Sequence, residues 1–265
     1  VSVFTGTGNS KALDQARLNA VVNTYNNGVG IRFNPSSFML NSKTWTIEDK
    51  GELEFRKNAP AHGLLVLKES TQEIRIETMP SVVGSWNDAA ITLKGINLGD
   101  IGPYLLPRNR LEGLVNAHVL IENPGKNMKI SSRDFVGQAI RLDNDSIGNL
   151  GANVIFDMAT QELLVDGKTL GADDKSLAYD IHLHLKDQES QQKNSITLTP
   201  THFDLKYIDR FLNTLFTDIS GDVTGKFEIK GPLNELAVVG KGRLRNAGLK
   251  VKFTQCYYKI EDRDI

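Results

Sequence analysis

The sequence predicts an all-β chain: an elongated sheet of stacked short strands, folded as a U-shaped "taco" groove or an open β-solenoid, with one or two short helices. Three observations carry this. Short runs along the 265 residues alternate apolar with polar, the period of a strand with one dry face and one wet face. Turn formers punctuate those runs, 23 Gly and 21 Asn against only eight Pro. Strands do not alternate with regular helices, which excludes a doubly wound α/β sheet. At about ten to twelve residues per strand and turn, the chain holds roughly 18 to 20 strands.

Taken in order, Gly6-Thr7-Gly8-Asn9-Ser10-Lys11 lacks the spacing of a phosphate-binding loop and reads as an ordinary loop. Asn26-Asn27-Gly28 lies between Leu18-to-Thr24 and Val29-to-Phe33, a hairpin signal. It is preferred to an amphipathic helix over 11–24 carrying Leu13, Ala16, Ala20 and Val21. The pairs Trp45/Ile47, Leu53/Phe55, Ile74/Ile76 and Ile91/Leu93 each mark a strand. Ile101, Tyr104 and Leu105 make a short helical stripe, with Pro103 placed in its first turn. Asp143 to Gly148 starts like a calcium loop, but Ile147 stands at the fifth ligand position and Val154 at the twelfth, so it is a turn. Ile181 to Lys186 and Lys226 to Lys230 alternate strictly. Between them, Ile208, Phe211, Leu212, Leu215 and Phe216 form a helical stripe over Tyr207–Thr217. Asp173–Lys175 and Lys186–Lys193 are polar and read as solvated loops, and Leu249/Val251/Phe253 begins an aromatic strand that holds Cys256, partly buried.

Composition bounds the chemistry. With 31 basic and 32 acidic residues the net charge is −1, without the basic excess of a nucleic-acid binder. One cysteine rules out an intrachain disulfide and a multi-cysteine zinc site. No apolar run reaches the roughly 20 residues that span a bilayer, and no secretory leader is visible. The chain begins without Met and stops at Arg263-Asp264-Ile265, which reads as a piece of a longer protein whose anchors lie elsewhere. There is no G-x-S-x-G elbow, and the carboxylates are scattered, so no catalytic residue is assigned and no cofactor is expected. Asp180-x-His182-x-His184 sets a carboxylate and two imidazoles on one strand face, a spacing that a metal could use with a further ligand such as His202. The alternating Ile181, Leu183 and Leu185 explain the same pattern as a solvated strand face, and no metal is assigned.

An internal repeat organises the chain into an N-terminal β segment (1–95), a first unit (96–202) and a second (203–265). The first copy runs Ile96-Asn97-Leu98-Gly99-Asp100-Ile101, Tyr104-Leu105-Leu106, Leu111-Glu112-Gly113-Leu114-Val115, then an alternating strand to Pro124. The second runs Phe203-Asp204-Leu205-Lys206-Tyr207-Ile208, Phe211-Leu212, Ile219-Ser220-Gly221-Asp222-Val223, then an alternating strand to Pro232. Repeated amphipathic strand units bury a continuous apolar face by stacking.

At these residues the sequence resembles the TamB branch of the AsmA-like envelope proteins (translocation and assembly modules). The Tyr207–Phe216 stripe is followed by Ile219 to Phe227, by the turn Lys230-Gly231-Pro232-Leu233-Asn234-Glu235-Leu236, and by Val239 to Val251, a succession similar to the family's. The resemblance is strong over 203–262 and looser over 29–125, where Asn34 to Asn41 and Thr44 to Ile47 take part. Pro232 follows Gly231 at once, where family members often leave several residues. The resemblance implies a non-enzymatic, U-shaped sheet in the periplasm of a Gram-negative-type envelope, with its parent anchored in the inner membrane. Its apolar groove carries phospholipid acyl chains toward the outer membrane and supports outer-membrane protein assembly, with an outer-membrane β-barrel assembly protein as a partner.

The residues expected to floor such a groove are Val115, Ala117, Val119 and Ile121 in the first copy and Val223, Phe227 and Ile229 in the second, with Leu183 and Leu185. Odd numbering keeps each set on one face unless a bulge intervenes. The alternative is a cell-surface or periplasmic β-solenoid for carbohydrate binding or adhesion, using Trp45 and Trp86 as sugar platforms.

Overall fold

The computed structural model describes residues 2–8, 15–48, 51–82, 84–105, 109–143, 145–170, 175–208 and 215–265. The all-β expectation holds: strands account for 69% of the chain, in antiparallel pairings, and among the described residues helix is confined to short pieces. The chain divides into two compact units, one of residues 1–146 with 152–161 and one of 147–151 with 162–265.

The first unit contains β1 (Ser2–Gly8), β2 (Gln15–Tyr25), β3 (Gly28–Phe33), β4 (Ser36–Leu40), β5 (Lys43–Ile47), β6 (Glu52–Arg56), β7 (Gly63–Glu69), β8 (Gln72–Met79), β9 (Asp88–Asn97), α1 (Leu98–Leu105), β10 (Leu111–Glu122) and β11 (Lys129–Leu142). β12 (Asp145–Asp157) contributes residues to both units. The hairpin at Asn26-Asn27 is present, with Tyr25 opposite Gly28. β2 is long enough to pair with β3 through Ala20–Tyr25 and with β4 through Gln15–Arg17. From β7 onward consecutive strands pair as a meander. With β5, their dry faces form a core that includes Trp45, Leu65, Ala90, Ile96, Val115 and Ile140, each under 9% exposed. Trp45 stacks parallel to Phe38 at 6.2 Å.

α1 is held from its first turn. Asp100, 3% exposed, accepts from Lys43 Nζ at 2.7 Å and from Gln72 Nε2 at 2.9 Å, and a carboxylate there also meets the positive end of the helix. The helix begins at Leu98, so Pro103 stands in its interior and not in its first turn. Pro103 has no N–H to give to the Gly99 carbonyl; Asn41 Nδ2 donates to that oxygen instead, at 3.4 Å.

The second unit contains β13 (Glu162–Leu170), β14 (Ser176–His184), α2 (Gln188–Gln191), β15 (Ser195–Thr201), β16 (Phe203–Asp204), a 3-10 turn at Leu205–Ile208, β17 (Phe216–Lys230), β18 (Ala237–Val251), β19 (Tyr257–Lys259) and β20 (Arg263–Asp264). β13 pairs with β14, β14 with β15, β15 and β16 with β17, β17 with β18, and β19 and β20 with β18. Most of the expected helix over Tyr207–Thr217 falls at 209–214, outside the described residues. Its end is corrected: Phe216 and Thr217 are strand, paired with Val251 and Lys250. The polar stretch at 186–193 is not all loop. Asp187 caps α2 by accepting from Ser190 N while Ser190 Oγ returns a bond, a capping box, and those bonds hold the Asp187 carboxyl below its usual range. Phe253 is 97% exposed in a turn, and Cys256 is exposed just before β19, because β18 ends at Val251 and the chain reverses there.

The repeat is visible in backbone geometry. Gly95 and His202, 107 residues apart, both take left-handed angles (φ 59° and 45°). Each gives its N–H to a side chain on the strand after the helix, Asn116 Oδ1 at 2.8 Å and Thr224 Oγ1 at 2.9 Å. A helical turn then starts at Leu98 and at Leu205. Gly113 and Gly221 follow at φ 124° and 99°, each opposite a left-handed residue of the next strand, Ala139 (φ 50°) and Asn246 (φ 48°). Register shifts at these points mark β-bulges.

A Cβ on Gly113 would stand 2.8 Å from Gln138 O, and one on Gly221 2.6 Å from the Ala247 Cα, so backbone blocks it as well as φ. Gly113→Ala and Gly221→Ala should each cost about 2 kcal/mol. Gly30→Ala, whose new Cβ meets only the side chains of Tyr25 at 3.5 Å and Glu54 at 3.8 Å, should stay within about 0.5 kcal/mol. Urea denaturation of the three variants checks this; equal effects would remove the bulge glycines from the account.

Candidate functional site

The second unit carries an apolar row that crosses five strands. Val165 on β13 opposes Ile181 on β14, Ile181 opposes Ile196 on β15, Ile196 opposes Ile229 on β17, and Ile229 opposes Val238 on β18. The next row on the same face is Gly167, Tyr179, Leu198, Phe227 and Gly240. Period-two alternation puts every one of these side chains on one side of the sheet. Burial, with the Asp166 carboxylate adding to it, pushes the Tyr179 phenol above its ordinary 10.0. It therefore stays a donor at neutral pH, to the Gly151 carbonyl at 3.1 Å.

On this face lies a cavity of about 780 Å³. Its floor includes Leu177, Leu198, Val223, Phe227, Ile229 and Leu244; Phe203, Leu205 and Tyr207 come from the segment after β15, and Ile260 and Ile265 directly follow β19 and β20. Phe203 and Tyr207 pack ring to ring at 5.3 Å. Val238 at its rim is 64% exposed, so the cavity opens to solvent there. Among the described residues, Tyr207 is the one lining side chain with a polar atom. What the surface offers a ligand is apolar contact, with neither a charge nor a paired acid and base.

Phe227 is seated by absence of side chains on β18. Cβ atoms on Gly240 and Gly242 would fall 2.6 and 2.7 Å from its ring, so the ring lies along the two glycines. The bulges near Asp218 and Asn246 end before Val223, and from Val223 to Ile229 the pairing with β18 is regular.

The sequence-chosen residues divide accordingly. Val223, Phe227 and Ile229 line the cavity. Leu183 shares the face by register, opposite Leu163, whereas Leu185 lies one residue past β14 and is 37% exposed. In the first unit, Val115 and Ala117 are 3% and 5% exposed within the core, and Val119 and Ile121 are half-buried. β10 keeps its alternation there because the extra bulge residues sit in β9 and β11. Sequence reasoning missed Leu177, Leu198 and Leu244. The alternation Ile196-Thr197-Leu198-Thr199 was the signal for the second of these. Asp180, His182 and His184 take the opposite face, where Asp180 is exposed and the two histidines are half-buried, and His202 is engaged with Asp222 at 3.1 Å. The expected sugar platforms are not free surfaces: Trp45 is 2% exposed, and the Trp86 indole packs on Gly125.

Gly242→Val should lift the Phe227 ring off β18 and into the cavity. Binding of an apolar fluorescent probe should weaken several-fold while the far-ultraviolet circular dichroism stays unchanged; unaltered probe binding would mean that the probe does not occupy this cavity. No protein-family model, curated protein or solved structure matches the chain.

Proposed function

We propose that this chain is a non-enzymatic, lipid-carrying segment of a TamB-like envelope protein of the AsmA type, working in the periplasm. The observation that carries the reading is the apolar cavity of the second unit on a face whose rows cross strand after strand. Four strand spacings of about 4.8 Å make a row roughly 19 Å long, enough for the roughly 15 Å that acyl chains occupy in one leaflet. Exposing a sixteen-carbon chain to water costs about 0.8 kcal/mol per methylene, roughly 12 kcal/mol in all. A cavity whose lining, among the described residues, holds no polar side chain but Tyr207 offsets much of that cost without gripping the chain at one point. The order of elements around Gly221 and the turn at Gly231-Pro232 support the family reading, and in it an outer-membrane β-barrel assembly protein is the partner. The carbohydrate or adhesion alternative loses support from the burial of Trp45.

The test is photocrosslinking in cells from probes at Phe227 and Ile229, with controls at Lys226 and Glu228 on the opposite face. Lipid adducts at the first pair alone are expected; adducts to protein alone would mean that the face is packed shut by a partner and would end the lipid reading. Phe227→Arg should leave a folded protein that no longer carries lipid, since the half-buried Phe227 already borders open space. Gross unfolding of that variant would count against an open groove, because only a sealed core makes an unpaired charge that costly.

A further inference from the structure

We propose that Glu162, His182 and His184 form a binding site for a borderline divalent cation of the zinc class, on the face of β13 and β14 opposite the apolar rows. The site follows from register. Glu162 on β13 stands directly opposite His184 on β14, and His182 is two residues back on the same strand, hence on the same face. The three therefore converge from two hydrogen-bonded strands, and no loop takes part.

The side chains meet. His184 Nδ1 is 3.1 Å from Glu162 Oε1, the two imidazole centroids are 4.5 Å apart, and one ligand atom from each residue lies within 4.8 Å of the other two. A tetrahedral ion with bonds of about 2.0–2.1 Å holds its ligand atoms roughly 3.3 Å apart. Small side-chain rotations close that difference and the backbone need not move. His182 Nε2 is buried and has no hydrogen-bond partner, an arrangement that costs stability unless something occupies the nitrogen. The His184 backbone is anchored, its main-chain N–H donating at 2.7 Å to Oδ1 of Asn194, a residue 2% exposed.

Donor chemistry sets the class of ion. Two imidazoles and one carboxylate suit zinc and its neighbours in the first transition row, whereas calcium and magnesium want all-oxygen sets. Three protein ligands leave a position for water. The carboxylate is Glu162 and not the Asp180 of the sequence motif: Asp180 is exposed and opposes another acid, Asp166. A cation here ties β13 to β14 at the level of Leu163 and Leu183, the apolar pair on the reverse side.

The decisive experiment titrates the full chain with zinc alone while following its five histidines by imidazole nitrogen NMR. The resonances of His182 and His184 should shift and saturate at one equivalent, with His62, His118 and His202 unmoved. Calorimetry should show affinity falling at least tenfold in His182→Ala and in His184→Ala, and unchanged affinity in His118→Ala. Calcium should produce no shift. Absence of zinc binding, or shifts confined to other histidines, would overturn the site. The NMR arm needs no variant, so a substitution that harms folding leaves the result readable.

Discussion

Cross-strand register is the constraint on which everything else in the second unit rests. A strand has a side-chain period of two, so one step of slippage between β14 and β15 would exchange Ile181 and Leu183 for His182 and His184 on the dry face. The apolar rows, the cavity floor and the convergence of Glu162 with the two histidines exist only in the observed register. Both faces of β14 therefore depend on the same backbone hydrogen bonds. The slipped pairing would set two imidazoles among the apolar rows, at a cost for their ring nitrogens.

Bulges punctuate the pairing of β10 with β11 and of β17 with β18, each a few residues after a helical turn. Gly113 and Gly221 adopt angles closed to other residues and lie against the backbone of the neighbouring strand. The left-handed Ala139 and Asn246 absorb the extra residue on the strand opposite. The bonds from Gly95 and His202 to Asn116 and Thr224 then fix where the helical turn leaves the sheet. In the second copy the bulges are completed before Val223, and from there to Ile229 the pairing with β18 is regular; in the first, further shifts follow in β9 and β11.

Much of this was legible in the residues. Alternation located the strands, Asn-Asn-Gly located the first hairpin, and the spacing of Gly113 and Gly221 located the repeat. Local patterns did not say where β18 stops, so Phe253 and Cys256 were read as strand although they lie in an exposed turn. They also hid α2, whose stability comes from one capping Asp187 and not from an apolar stripe. Glu162 was invisible as a ligand because its distance from His184 is set by pairing across a hairpin, which sequence spacing does not encode. The lining contributed by Ile260 and Ile265 was hidden for the same reason.

The two copies of the repeat share a backbone device yet use it differently, and side-chain volume is what separates them. Val115, Ala117, Val119 and Ile121 align with Val223, Gly225, Phe227 and Ile229. In the first unit this strand faces Ile96, Leu93, Ile91 and Ala89 on β9, and its leading pair is buried. In the second, Phe227 and the facing glycines Gly240 and Gly242 give a broad, low floor, and the neighbouring Val238 is left exposed. A sealed core and an open apolar face thus arise from one strand–helix–strand unit by changing a few side chains along a single ladder. Such a unit can be repeated along a chain and tuned position by position, which is what a continuous path for an apolar ligand requires.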